Sequence, residues 1–138
     1  PTGTTLSDMS NSGTIRPWNK VLWKGPNAMN GSATATLSEN VSDQPTGIVL
    51  VFSRRADGAA QDYEFTSYFV PKAQVVTHPG CGYNFNMASS TCSLFATKYL
   101  YIRNDAIVGN DNNTTSGTGA SGIKYSNGDY TLRYVIGV

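Results

Sequence analysis

The chain has 138 residues with a net charge of +1, and that length suits one domain with a core of its own. Such a charge excludes a general electrostatic pull toward nucleic acid or an anionic membrane surface, and an aromatic content of 11% excludes a disordered chain. Only 14% of residues are charged, so polarity comes from Ser, Thr, Asn and Gly, a mix that suits strands and turns rather than long solvated helices.

Residues 1–14 have no hydrophobic period and read as an extended N-terminal arm or linker. Pro1 is not a natural start, so the chain reads as a fragment or processed product. The head domain is expected over residues 15–138. Ile15 to Lys24, with Trp18, Val21, Leu22 and Trp23, predicts a first strand broken by Gly25, Pro26 and Asn27. Ala33 to Leu37 alternates and predicts a second, followed by a polar loop with at most one helical turn.

Gly47 to Pro71 predicts a hairpin at the centre of an antiparallel sheet. Ile48 to Phe52 is unbroken and β-branched, as in a strand covered on both faces. A turn is expected at Arg54 to Gly58. Asp62 to Val70 then alternates, which places Tyr63, Phe65, Ser67 and Phe69 on an inner face. Pro71 ends the ladder.

Ala73 to Thr77 predicts a short strand through Val75 and Val76, and residues 81–90 a loop. In Thr91 to Arg103, Leu100 and Ile102 face one way and Tyr99 and Tyr101 the other. Asn104-Asp105 turns into Ala106, Ile107 and Val108. Residues 109–122 are the most polar segment, expected to be the least constrained loop. Asn127-Gly128 favours a tight type I′ hairpin. The last strand places Tyr130, Leu132, Tyr134 and Ile136 on one face. About eight to ten short strands with almost no helix mean an all-β antiparallel sandwich or barrel.

Chemistry-bearing residues are few. Cys81 and Cys92 admit three readings: a disulfide worth roughly 3 kcal/mol, two buried thiols, or a metal site with His78. Zinc needs three or four ligands, and His78 is the only histidine. Gly117, Gly119 and Gly122 match a dinucleotide fingerprint by letter but lack its strand and helix. Asp62 and Glu64 point the same way from one strand, so they do not flank a sugar as a glycosidase pair does. Asp111 among Asn110, Asn112 and Asn113 could supply oxygens to Ca²⁺, although the spacing is not an EF-hand. Asn30, Asn40 and Asn113 are glycosylation acceptors by pattern. No catalytic residue, metal or cofactor is assigned.

The aromatics are the better candidates, because Trp and Tyr stack on the apolar faces of sugars while keeping a polar tip. Trp23, Tyr68, Tyr83 and Tyr101 are the candidate stacking residues, with Arg54 and Asp62 to hold ring hydroxyls. The competing reading is that such rings fill a core or a subunit interface.

Leu22-Trp23-Lys24-Gly25, Met29-Asn30, the Ala33–Leu37 strand, QPTGIVLVFSRRADGAAQDYEF and FVPK resemble the C-terminal head domains of tail-fibre and baseplate proteins from phages of Gram-positive bacteria. The resemblance covers residues 18–138. It implies a non-enzymatic receptor-binding head at the tip of a homotrimeric fibre on the virion, outside the cell. It implies attachment to host cell-wall saccharide or teichoic acid, contact with other tail or baseplate proteins, and neither nucleic-acid binding nor membrane insertion. Rival expectations are a structural virion module that touches no receptor, a glycan-degrading β-domain and, more remotely, a secreted eukaryotic lectin.

Overall fold

A computed structural model describes residues 19–138; the expected arm, the boundary at residue 15 and Trp18 lie outside them. In chain order the strands are β1 (Lys20–Asn27), β2 (Thr34–Thr36), β3 (Gly47–Ala56), β4 (Ala59–Ala60), β5 (Thr66–Pro71), β6 (Cys81–Ala88), β7 (Phe95–Ile102), β8 (Ala106–Val108), β9 (Ser116–Thr118), β10 (Lys124–Ser126) and β11 (Tyr130–Gly137). One short helix, α1 (Lys72–Thr77), and three 3-10 turns at Val41–Asp43, Asp111–Thr114 and Asn127–Asp129 complete the described chain. None of its helices is long and apolar enough to cross a membrane.

The strands form two curled, largely antiparallel sheets. The first runs β1-β11-β3-β4, with β5 also on β3; the second runs β2-β8-β7-β10-β9, with β6 also on β7. β3 lies between β11 and β5, as expected of a central strand. Its Ile48, Leu50 and Phe52 are fully buried, each worth about 1.5–3 kcal/mol, while Val49 and Val51 are half-covered on the other face. One buried cluster joins these to Phe85, Met87, Leu100 and Ile102 of the second sheet.

Asp57 and Gly58, both at positive φ, make the tight turn from β3 to β4. The chain keeps its alternation but buries the other face, and the strand starts later than expected. Glu64 takes φ 54°, and β5 begins only at Thr66. Register sets Thr66 opposite Phe52, Tyr68 opposite Leu50 and Val70 opposite Ile48. The inward set is therefore Thr66, Tyr68 and Val70, and the expected inner face is the outer one: Tyr63, Phe65 and Phe69 are about half exposed. A one-residue offset exchanges the faces of a strand.

Other expectations also change. β1 continues through Gly25, Pro26 and Asn27 by shifting register on β11. Ala73 to Thr77 is helical and buries Val75 alone. Residues 81–90 mostly form β6, with Phe85 and Met87 buried and the intervening Asn84 and Asn86 exposed. Asn127-Gly128 joins β10 to β11, which lie in different sheets, so it does not close a hairpin. A register shift between Leu132 and Tyr134 reverses the last strand, so that Val135 replaces Tyr134 and Ile136 on the buried side.

Candidate functional site

β7 is paired along its whole length by β6. Its other edge is covered only at the ends, by β8 at Tyr101–Ile102 and by β10 at Phe95. The uncovered middle would leave backbone donors and acceptors unpaired. Two asparagine side chains fill the gap. Asn127 Oδ1 accepts from the Thr97 amide at 2.8 Å, and Asn113 Oδ1 accepts from the Tyr99 amide at 2.6 Å. Asn113 Nδ2 donates to the carbonyls of Tyr99 at 2.9 Å and Met29 at 2.8 Å, and Asn127 Nδ2 donates to the Asn112 carbonyl at 2.8 Å. Both are buried and act as a surrogate strand.

That docking orders the polar segment. Asn110 caps the 3-10 turn, its Oδ1 accepting from the Asn112 amide at 2.9 Å, while its Nδ2 donates to the Tyr101 hydroxyl at 3.1 Å. The segment expected to be least constrained is thus pinned at Asn110 and Asn113. Asn113 is fully buried, which removes it as a glycosylation acceptor in the folded chain.

Lys98 holds the arrangement from the core side. Fully buried on the inner face of β7, it donates to the carbonyls of Asn113 at 2.7 Å and Ala28 at 2.9 Å. Burial brings its pKa down to about 7; Arg55 acts in the same direction and Asp129 against it.

On the outer side these elements enclose a cleft of about 620 Å³. Asn84 of β6, Thr97 and Tyr99 of β7, Tyr125 of β10 and the amides around Asn112 supply its polar and ring surface. Among the described residues, the lining includes no Asp, Glu, Lys, Arg or His. The Asn84 and Asn112 side-chain amides and the Tyr99 and Tyr125 hydroxyls make no hydrogen bond to any described residue. Such a surface presents free donors, free acceptors and parts of two tyrosine side chains, Tyr99 packed edge-on to Tyr101 at 5.3 Å, to a neutral ligand rich in hydroxyls. A smaller groove of about 430 Å³, lined by Gly31, Ser32, Val108, Gly109, Asn110 and Asp111, adjoins it through Asn110.

The residues singled out from sequence are scattered. Tyr101 does not line the cleft but touches two residues that do, accepting from Asn110 and packing edge-to-face on Tyr99 at 5.3 Å. Trp23 is half-buried against the core cluster. Tyr68 packs on Phe85 at 5.3 Å and donates its hydroxyl to the Asn86 carbonyl. Tyr83 stacks on Phe85 at 6.3 Å, its hydroxyl buried without a hydrogen-bond partner among the described residues and its pKa raised mainly by burial. Arg54 pairs with Glu64 at 3.1 Å and lies over the Tyr130 ring, and Asp62 pairs with Arg133 at 2.8 Å. Glu64 also accepts from the Ser90 amide at 2.8 Å and the Tyr130 hydroxyl at 3.1 Å. The Ser90 amide first, then Arg54 and Tyr130, hold its carboxyl below the usual range against the opposing effect of burial.

Cys81 and Cys92 are free and exposed, which corrects both the disulfide and the buried-thiol readings. Cys81 lies on β6 and Cys92 in the turn before β7, outside the core cluster. Among the described residues no three His, Cys, Asp or Glu side chains converge as metal ligands. Sequence reasoning set Tyr99 on the face away from Leu100 and Ile102 and named Asn112 only beside Asp111 as a calcium candidate; it assigned no site role to Asn84, Tyr125 or Asn127. The usable signal was the asparagine run directly after the strand Ala106–Val108. No family model, curated protein or solved structure matches the chain.

Proposed function

We propose that this protein is the receptor-binding head of a phage tail appendage and attaches to host cell-surface saccharide through the Asn/Tyr cleft, carrying no reaction of its own. The observation that supports it is the uncharged cleft in which Asn84, Asn112, Tyr99 and Tyr125 keep unused hydrogen-bonding groups. Sugars need such groups, and a scaffold of buried Asn113, Asn127 and Lys98 holds the cleft's shape in advance, which lowers the ordering cost of binding.

In this reading the head is a β-sandwich that works as a homotrimer on the virion, and three modest sites add up through avidity. The outer face of the first sheet suits contact between copies. Val21, Ile136, Val49 and Phe69 are successive cross-strand partners and form an apolar row across it, with Val21 and Phe69 about half exposed. The test is a cell-wall pull-down and glycan array with folded protein of measured oligomeric state, beside Tyr125→Ala and Asn112→Ala. Retention by the parent and loss in both variants are expected; a blank result with folded trimer refutes the reading.

The same apolar row supports a second reading, a structural module that docks another tail protein and touches no receptor. Deleting the domain separates the two. Particles that assemble but fail to adsorb favour the receptor-binding head, and particles that fail to assemble favour the module.

A further inference from the structure

We infer that the cleft and the groove beside it take one uncharged, chain-like glycan and reject phosphodiester polymers such as teichoic acid. This rests on the saccharide-binding reading and narrows its ligand class. Nine described residues line the cleft, and none of them brings a cation to it. A polyanion would have to give up water and counterions against amides and hydroxyls alone. Lys98, between the lining residues Thr97 and Tyr99 but on the opposite face of β7, is fully buried and spends its donors on the Ala28 and Asn113 carbonyls. Among its described residues the neighbouring groove holds one charged side chain, the exposed carboxylate of Asp111, which repels phosphate.

Continuity supplies the chain-like part. Asn110 lines both spaces, and its side chain is fixed by the Asn112 amide and the Tyr101 hydroxyl. A sugar stacked in the cleft would therefore pass its next units over Asn110 toward Ser32 and Gly109. Close packing fixes the backbone here: a β-carbon on Gly109 would lie 2.2 Å from the Met29 carbonyl oxygen, so this position tolerates no side chain.

The test uses the full chain with two probes, size-fractionated neutral wall polysaccharide and poly(glycerol phosphate), at low and high salt. Neutral material is expected to bind with an affinity that changes less than about twofold with salt, because no charge pair is screened. Tyr125→Ala should weaken it about tenfold. Longer neutral fragments should outbind disaccharides, and Ser32→Trp, at an exposed turn, should collapse that length preference. Asp111→Asn should raise retention of poly(glycerol phosphate). A length preference unmoved by Ser32→Trp overturns the two-groove path. Retention of poly(glycerol phosphate) alone, with steep salt dependence, overturns the inference while sparing a receptor-binding head. Retention of neither probe by folded protein brings down the saccharide reading and the inference together.

Discussion

Replacing Lys98 with methionine tests the physics behind the site. The amine sits fully buried against two carbonyls, and burial first, then Arg55, lowers its pKa from 10.5 to about 7 despite Asp129. The folded state therefore holds this proton less tightly than the unfolded chain does. From about pH 7 to the unfolded value the unfolded chain binds more protons, so stability rises with pH in that window. Below the window the charge penalty is fully present; above it the penalty is gone. A shift of this size amounts to roughly 2 kcal/mol gained between pH 7 and 9. Lys98→Met keeps a similar volume and removes the titration, but it leaves the Ala28 and Asn113 carbonyls without their donor. At pH 9, where the parent amine is neutral, that loss costs about 2–4 kcal/mol. At pH 6 the variant also escapes the charge penalty, so the two proteins draw closer. Urea unfolding of both proteins across pH 6 to 9 reads the difference, and groups common to both cancel in it. The gap should widen by roughly 2 kcal/mol between pH 7 and 9. A gap constant to within about 0.5 kcal/mol would mean that the two carbonyls accommodate the ammonium at no net cost, and the reasoning would be wrong.

Asn113→Ala should cost about 2–4 kcal/mol in denaturant unfolding, because it strips partners from the Tyr99 amide and carbonyl and from Met29 in one change; a loss below about 1 kcal/mol would contradict the surrogate-strand account. Glu64→Gln should destabilise by about 1–3 kcal/mol at neutral pH. Because the folded carboxyl titrates below its ordinary range, that contribution is present above the unfolded pKa and fades as pH falls through the folded one. The stability gap between parent and Glu64→Gln should therefore close in acid, and a gap independent of pH would refute the assignment. Both Cys81 and Cys92 should react with a thiol reagent in the native protein without prior reduction; full protection of either would contradict its exposure.

Much of the architecture was legible in local pattern. The unbroken Ile48–Phe52 run marked a central strand, Asp57-Gly58 marked its turn, and alternation at Leu100 and Ile102 marked the inward face of β7. Such signals depend on neighbours two to five residues away, and these lie within one element. The alternation of Tyr83, Phe85 and Met87 was equally legible as a strand, but polar residues and glycine around it suggested a loop.

What pattern could not supply was register and partnership. Phe65 and Phe69 are apolar yet exposed, because β3 sets Thr66, Tyr68 and Val70 opposite its buried residues. The shift at Leu132/Tyr134 turns the last strand over in the same way. The site lay further still from local reading. Asn113 and Asn127 look like solvated loop residues until the bare edge of β7, 14 and 30 residues away, is brought beside them. An amide's composition says only that it can pair. Whether it faces water, a ligand or an orphaned backbone group is decided by which strand edge the fold leaves open.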